Sequence, residues 1–205
     1  MTNQPVTLQD RVRTSTKTWM DNIGMALYRA HIHPDFITLL GLVFVLAASV
    51  FIARGQLQLG GLILLLGLPL DALDGAVARA MGRTGKFGGV LDSTLDRYAD
   101  SFIFAALGYY YAAQVRLDYL LLALAALIGS FAVSYVRARA GEAGLSVKIG
   151  LFDRMVRIII ILTMLLISSL VELGLGVLAI GTNFTALQRL WYVYKLNREV
   201  HKDGV

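Results

Sequence analysis

Long apolar runs dominate the chain, and short polar segments separate them. A helix needs about 20 mainly apolar residues to cross the hydrocarbon part of a bilayer. Six runs have roughly this length: 35–54, 58–79, 88–114, 118–141, 151–171 and 173–197. They are longer than the strands of a membrane barrel and do not alternate as those strands do. The pattern predicts an all-α integral membrane protein with six transmembrane helices.

The N-terminal segment, residues 1–34, has a different pattern. From Leu8 to Leu27, apolar residues recur at helical spacing with charged residues between them. This pattern is typical of an amphipathic helix that lies on a membrane surface, and a helix packed against the protein's own cytoplasmic side would share it. We predict a cytoplasmic segment with this juxtamembrane helix at 1–34, without a cleavable signal peptide. A six-helix domain at 35–199 and a short cytoplasmic tail at 200–205 follow.

Composition and charge agree with this prediction and add an orientation. Hydrophobic residues make up 57% of the chain, and its mean hydropathy is +0.64, which is too apolar for an ordinary soluble domain. Of the 19 Lys and Arg residues, all but Arg54 and Arg116 fall on one side of the predicted helices. Because basic residues stay on the cytoplasmic side, we expect both termini in the cytoplasm and a multi-pass protein of the cell membrane. We expect no nucleic-acid partner, and the absence of cysteine excludes disulfides.

Four aspartates stand at the ends of two predicted helices in this otherwise apolar chain. Asp71 and Asp74 are three residues apart, and Asp92 and Asp96 are four apart, so each pair shares one helix face. A short glycine-rich link makes the two helices antiparallel neighbours, which lets the four carboxylates converge. Such carboxylates are costly at membrane depth and repel one another unless a cation lies between them. Oxygen ligands of this kind select Mg²⁺, Mn²⁺ or Ca²⁺, and paired ions commonly clamp a phosphate undergoing displacement.

The residues beside the aspartates fit a phosphate ligand. Gly75, Ala78 and Gly88 leave space for a ligand near the backbone, and Arg79 offers a guanidinium group to a phosphate. The alternative is a solvated loop in which the carboxylates pair with the nearby basic residues Arg79, Arg83, Lys86 and Arg97. Four acids at these spacings, together with the glycines, favour the metal site.

The stretch DALDGAVARAMGRTGKFGGVLDSTLD resembles, position for position, the signature of the CDP-alcohol phosphotransferases. The resemblance implies an enzyme that transfers the phosphatidyl group of CDP-diacylglycerol, or of a related CDP-lipid, to an alcohol and releases CMP. The ligands of two divalent ions, Mg²⁺ or Mn²⁺, would be Asp71, Asp74, Asp92 and Asp96. Asp96 would also be the base that deprotonates the acceptor hydroxyl. The CDP-lipid pocket would comprise Asp71, Asp74, Gly75, Ala78, Arg79 and Gly88, and the protein would be a homodimer.

A second cluster is basic. Arg137 stands near the end of the fourth predicted helix, Arg154 and Arg157 begin the fifth, and Arg189 enters from the sixth. Guanidinium groups beside a metal site suggest a second anion, the phosphate of a phosphorylated polyol acceptor; the alternative is contact with lipid headgroups. The segments SYVRARA and DRMVR resemble the branch of the family that makes phosphatidylinositol phosphate. This resemblance implies inositol phosphate as acceptor, with glycerol 3-phosphate as the alternative.

Two other classes of protein would also contain an acidic cluster in a membrane. A cation transporter would place the acids near the bilayer midplane, whereas these lie at the cytoplasmic ends of helices and no polar path continues beyond them. A catalytically silent scaffold would not need four carboxylates. We therefore favour the enzyme. Asp100, one turn after Asp96, either supports the metal site or pairs with Arg97.

Overall fold

A computed structural model describes residues 22–82 and 86–203, except for the side chains of residues 71, 72, 86 and 199–203. These residues form helices and short connections, and no β-strand occurs among them. The predicted all-α class is therefore confirmed. The predicted N-terminal amphipathic helix falls outside the described residues up to position 21, as do the last two residues of the predicted tail.

In the described part of the chain, six helices follow a short helical segment at 22–29. They are α1 (Pro34–Ala53), α2 (Leu57–Ala80), α3 (Lys86–Ala113), α4 (Leu117–Glu142), α5 (Arg154–Leu166) and α6 (Val171–Asp203). A single 3₁₀ turn, Ser168–Leu170, separates α5 from α6. Helix α1 begins at a proline, which fits because the first N–H groups of a helix have no partner within it.

Four stretches are long and apolar enough to cross a membrane: Pro34–Ala53, Leu57–Ala80, Leu117–Glu142 and Ser168–Arg198. The protein is a multi-pass membrane protein. Helix α3 does not meet the same criterion because it contains five charged residues, Lys86, Asp92, Asp96, Arg97 and Asp100. Helix α5 has only 13 residues, a length of about 20 Å. The count of six spans therefore stays a prediction.

The described residues divide into two compact units. The first contains the described residues up to Phe44 together with Leu66–Leu95. Within it, the segment 22–29 packs against α2, since a Cβ added to Gly24 would lie 2.7 Å from the backbone carbon of Ala76. This part of the N-terminal segment thus contacts the protein itself.

The second unit contains Val45–Leu65 and the described residues from Asp96 onwards. It holds the main hydrophobic core, to which α1, α2, α3, α4, α5 and α6 all contribute buried side chains. Helices α4 and α6 approach each other at Gly129, where an added Cβ would overlap Thr182. Asn183 of α6 donates a hydrogen bond to the Ala125 carbonyl of α4 at 2.8 Å. Small residues allow such close approach between membrane helices.

Four of the described helices α1–α6 are followed by one residue in the left-handed conformation, and at three of them, α1, α3 and α4, the next residue is described as well. Gly55 follows α1 with φ +79°, Gly144 follows α4 with φ +77°, and Val115 follows α3 with φ +60°. In each case this residue and the next donate N–H groups back to the last carbonyls of the helix, the usual way of closing a helix end. Glycine adopts this conformation freely, whereas a β-branched residue is strained there.

We expect Val115→Gly to stabilise the protein by about 1 kcal/mol, because the strain of a left-handed valine outweighs the added chain entropy of glycine. The valine side chain is 81% exposed, so its removal sacrifices little packing. Thermal or denaturant unfolding of the purified protein measures the change. Gly55→Val, the reverse exchange at the equivalent position after α1, should destabilise. A loss of stability in Val115→Gly would contradict this account.

Candidate functional site

The first unit holds Asp74, whose carboxylate is oriented by α1. Asp74 is only 8% exposed. The Thr38 hydroxyl lies 2.7 Å from Asp74 Oδ2 and 3.1 Å from the Pro34 carbonyl oxygen, and its single proton is best placed for the carboxylate. The sequence offered no sign of this contact. A threonine in the first turns of an apolar helix ordinarily bonds the carbonyl four residues before it.

The other residues of the aspartate motif that belong to this unit lie on α2 and α3. The exposed guanidinium of Arg79 lies beside Gly75, since an added Cβ at Gly75 would be 3.4 Å from Arg79 Nη1. Ala78 is half-buried on α2, and Gly88 and Asp92 are half-buried on α3. The structure places Asp71 on α2 without describing its side chain.

The predicted convergence of four carboxylates on a metal site stays a prediction. Among the side chains that the structure describes, which exclude Asp71, no three His, Cys, Asp or Glu come together in a way that would hold a metal ion.

In the second unit, two aspartates of α3 face two arginines of α5. Arg154 Nη2 lies 2.5 Å from Asp96 Oδ1, and Arg157 Nη2 lies 2.8 Å from Asp100 Oδ2. Arg97 Nη1 lies 3.4 Å from the other oxygen of Asp96. Arg97 therefore contacts Asp96. Asp100 bonds Arg157, a partner that neither of the two alternatives left open by the sequence had named. Asp96 and Arg154, which the sequence assigns to two different parts of the site, form an ion pair.

The start of α5 is fixed by Asp153. Its side chain accepts a hydrogen bond from the Val156 N–H at 3.0 Å, and its backbone is extended, as expected of an N-cap residue. Arg154 is therefore the first residue of the helix, and Arg157 follows almost one turn later. This local structure sets the spacing of the two guanidinium groups.

Arg189 on α6 donates hydrogen bonds to α4 and to the connection between α4 and α5. It is 4% exposed. Its Nε donates to the Ile149 carbonyl and its Nη1 to the Val133 carbonyl, both at 2.8 Å. A guanidinium has five N–H donors in a planar fork, so these two bonds leave further donors on the same group. The side chain is held rigidly by backbone acceptors.

The connection between α4 and α5 also contacts two further residues on this face of α6: Thr185, one turn before Arg189, and Gly181, two turns before it. Phe152 packs against Gly181, where an added Cβ would overlap its ring. The Phe152 N–H donates to Thr185 Oγ1 at 3.3 Å. Sequence reasoning missed both residues because a glycine and a threonine in an apolar helix usually serve helix packing.

The four arginines of the predicted cluster all belong to this unit, and their role as an anion site stays a prediction. Arg137 lies on α4, Arg154 and Arg157 begin α5, and Arg189 lies on α6. Arg137 is exposed, Arg154 is half-buried and Arg157 is buried. Among the four, Arg137 and Arg154 are therefore the ones accessible from outside the protein.

Known proteins resemble the chain over most of its length. The model of the CDP-alcohol phosphatidyltransferase family matches residues 31–187. The archaetidylinositol phosphate synthase of Pyrococcus horikoshii is 41% identical over 187 residues, which are 90% of this chain and 96% of that protein.

Solved structures show the same fold. A crystal structure of the Mycobacterium tuberculosis phosphatidylinositol phosphate synthase with CDP-DAG bound has a TM-score of 0.80 and 32% identity, covering 85% of this chain and 93% of that chain. A second structure of that enzyme, in complex with manganese and citrate, has the same TM-score. The match covers 85% of this chain and 88% of that chain.

We expect Gly150→Ala to destabilise the protein by about 1–3 kcal/mol more than Gly144→Ala does. Both glycines have positive φ, +111° and +77°, so both substitutions introduce backbone strain. Only at Gly150 would the new Cβ clash, at 2.5 Å from Thr185 Cγ2 and 3.1 Å from Arg189 Nε, whereas nothing lies within 4 Å at Gly144. Unfolding midpoints of the two purified variants measure the difference. Equal losses would show that the Gly150 contact has no role in seating this connection.

Proposed function

Since the chain belongs to the CDP-alcohol phosphatidyltransferase family, we propose that it transfers the lipid phosphate group of a CDP-linked lipid to a hydroxyl of inositol phosphate. The products are phosphatidylinositol phosphate, or its ether-lipid counterpart, and CMP. The names of the Pyrococcus and Mycobacterium relatives support the acceptor, because both are synthases of inositol phosphate lipids. The structure of the second with CDP-DAG supports the donor.

The observation that carries the proposal is the ion pair between Arg154 and Asp96, with Arg189 and Arg137 in the same unit. Guanidinium groups bind phosphate strongly through paired, charge-assisted hydrogen bonds. An acceptor whose phosphate engaged Arg154 would bring a hydroxyl close to the Asp96 carboxylate. An acceptor without a phosphate would offer these guanidinium groups no such paired hydrogen bonds.

We propose that Asp71, Asp74, Asp92 and Asp96 hold two divalent ions, Mg²⁺ or Mn²⁺. Their carboxylates are the hard oxygen ligands that both ions prefer. Asp74 fits this role because it is almost buried and is oriented by Thr38, as ligating carboxylates usually are. When bound, such ions neutralise a diphosphate and stabilise the departing CMP. The manganese complex of the Mycobacterium enzyme supports a divalent ion.

Residues of the chain itself perform the proton transfer and bind the two substrates. Asp96 takes the proton of the acceptor hydroxyl as that oxygen attacks the phosphorus bound to the lipid, a step worth typically about 10²–10⁴-fold in rate. Gly75, Ala78, Arg79 and Gly88 line the CDP pocket with Asp71 and Asp74. Arg137, Arg154 and Arg189 orient the acceptor phosphate.

We further propose six spans, with both termini and the active site on the cytoplasmic side of the cell membrane, and a homodimer. The distribution of Lys and Arg supports this orientation, because only Arg54 and Arg116 lie on the opposite side of the predicted helices. Family resemblance supports the dimer.

CMP release by the purified enzyme tests the function. With CDP-diacylglycerol or its archaeal ether-lipid counterpart and Mg²⁺ or Mn²⁺, we expect inositol phosphate to give the highest kcat/KM among inositol phosphate, glycerol 3-phosphate, inositol and serine. A preference for glycerol 3-phosphate would replace the proposed acceptor by the alternative. A preference for an acceptor without phosphate would overturn the role of the arginines. Asp96→Asn is the control: it should abolish transfer while CDP-lipid binding is retained.

We expect Thr38→Val to weaken Mn²⁺ binding by about 10–100-fold, because the Asp74 carboxylate loses the hydroxyl that orients it. Titration of the purified protein with Mn²⁺, followed by electron paramagnetic resonance, measures the affinity without turnover. Thr163→Val is a matched control, since it removes a helix hydroxyl on α5 that donates to a backbone carbonyl, that of Ile159 at 2.8 Å, instead of to a carboxylate. Equal Mn²⁺ affinities in wild type and Thr38→Val would contradict the role of Asp74.

A further inference from the structure

The two ion pairs between α3 and α5 form successive rungs that differ in burial. Asp96 and Asp100 are four residues apart on α3, and Arg154 and Arg157 are three apart on α5, so each pair lies on one helix face. In the outer rung, the side chains of Arg154 and Asp96 are 35% and 13% exposed. In the inner rung, those of Arg157 and Asp100 are 2% and 10% exposed. Only the outer rung is open to a ligand.

The inner rung is tied into the fold on several sides. Arg157 Nη2 donates to Asp100 at 2.8 Å, and Nη1 lies 3.4 Å from the Phe152 carbonyl oxygen. Its Nε is buried and has no hydrogen-bond partner among the described residues. A buried charge of this kind is strongly destabilising when its partner is removed. An acceptor phosphate would have to break the Asp100 bond and enter the core to reach this group.

Building on the proposed function, we propose that Asp100 is a positioning residue: it holds Arg157 as a buried anchor of α5, which leaves Arg154 in the outer rung to bind the acceptor phosphate. Asp100 lies outside the aspartate motif, which ends at Asp96. The proposal also changes the role predicted for Arg157, from a phosphate ligand to a support.

The buried pair of Arg157 and Asp100 fixes the position of the first turn of α5, which contains Arg154. Arg157 joins α3 through Asp100 and joins the connection before α5 through Phe152, whose N–H is bound by Thr185. The Asp153 cap and Arg154 lie between these points. Without the inner rung, the first turn of α5 is free to shift, and Arg154 moves with it. Misplacement of a binding group by about 1 Å can lower the rate by about 10²-fold.

The test measures KM for both substrates in the wild type and in three variants: Asp100→Asn, Arg154→Ala and the two combined. Asp100→Asn should raise the acceptor KM about tenfold and leave the CDP-lipid KM within about twofold of wild type. In the Arg154→Ala background, Asp100→Asn should raise the acceptor KM no further, because the effects of two substitutions that act through one group do not add. A purely structural defect would change both KM values or would add to the effect of Arg154→Ala, and either result overturns the proposal.

The double variant D100L/R157M separates an anchor from a phosphate ligand. Apolar residues of similar volume often replace a buried ion pair without loss of stability, so we expect an acceptor KM within about threefold of wild type. A direct phosphate ligand would be lost in this variant, and a larger increase overturns the proposal. This variant also keeps the test decisive if Asp100→Asn alone fails to fold.

A control variant and a set of unfolding midpoints separate the anchor role of Asp100 from a general loss of helix packing and from a failure of the proposed function. Glu172→Ala removes a contact between α4 and α6, the 2.7 Å bond from the Tyr119 hydroxyl, and should leave the acceptor KM unchanged. If wild type releases no CMP with any phosphorylated acceptor, the proposed function fails. The unfolding midpoints of Asp100→Asn, Arg157→Met and D100L/R157M still test the anchor, which requires the double variant to be more stable than either single one. A double variant no more stable than the single variants would refute it.

Discussion

Ionised groups can persist within apolar helices only when other charges or dipoles compensate them, and this constraint governs the described parts of the site. Desolvation makes an unpaired buried charge far more costly than an exposed one. Asp100 and Arg157 satisfy each other, and Arg189 is satisfied by two backbone carbonyls. Asp74 receives the Thr38 hydroxyl. Each of these bonds also fixes the direction of a side chain, so the interactions that make charge tolerable also determine the geometry of the site.

The connection between α4 and α5 shows how scaffold and function are joined. Three residues of α6, each one turn from the next, contact this connection. Gly181 packs against Phe152, Thr185 accepts the Phe152 N–H, and Arg189 donates to the Ile149 carbonyl. The Asp153 cap then starts α5 at Arg154. The position of Arg154 thus depends on three small or buried residues of another helix, of which Gly181 and Thr185 need not contact the substrate.

Much of the fold and the identity of the family could be predicted from local patterns. Apolar runs predicted the helices because a helix in lipid must be apolar over its length, and the aspartate motif led directly to the family that the comparisons support. The fifth predicted run, 151–171, differs in detail, since α5 ends at Leu166 and a 3₁₀ turn follows before α6 begins. Hydropathy continues through Ser168 and Ser169, so it carries no sign of this break.

The sequence by itself determined the helical class, the family and the residue types available for chemistry, because periodicity and motif spacing are properties of the chain. Only the tertiary structure decided which carboxylate meets which arginine. Asp96 lies next to Arg97 in sequence yet also pairs with Arg154, and Asp100 bonds Arg157, which lies 57 residues away along the chain. Such partners depend on the rotation and depth at which two helices pack, and these are set by side-chain contacts across the whole core rather than by local sequence.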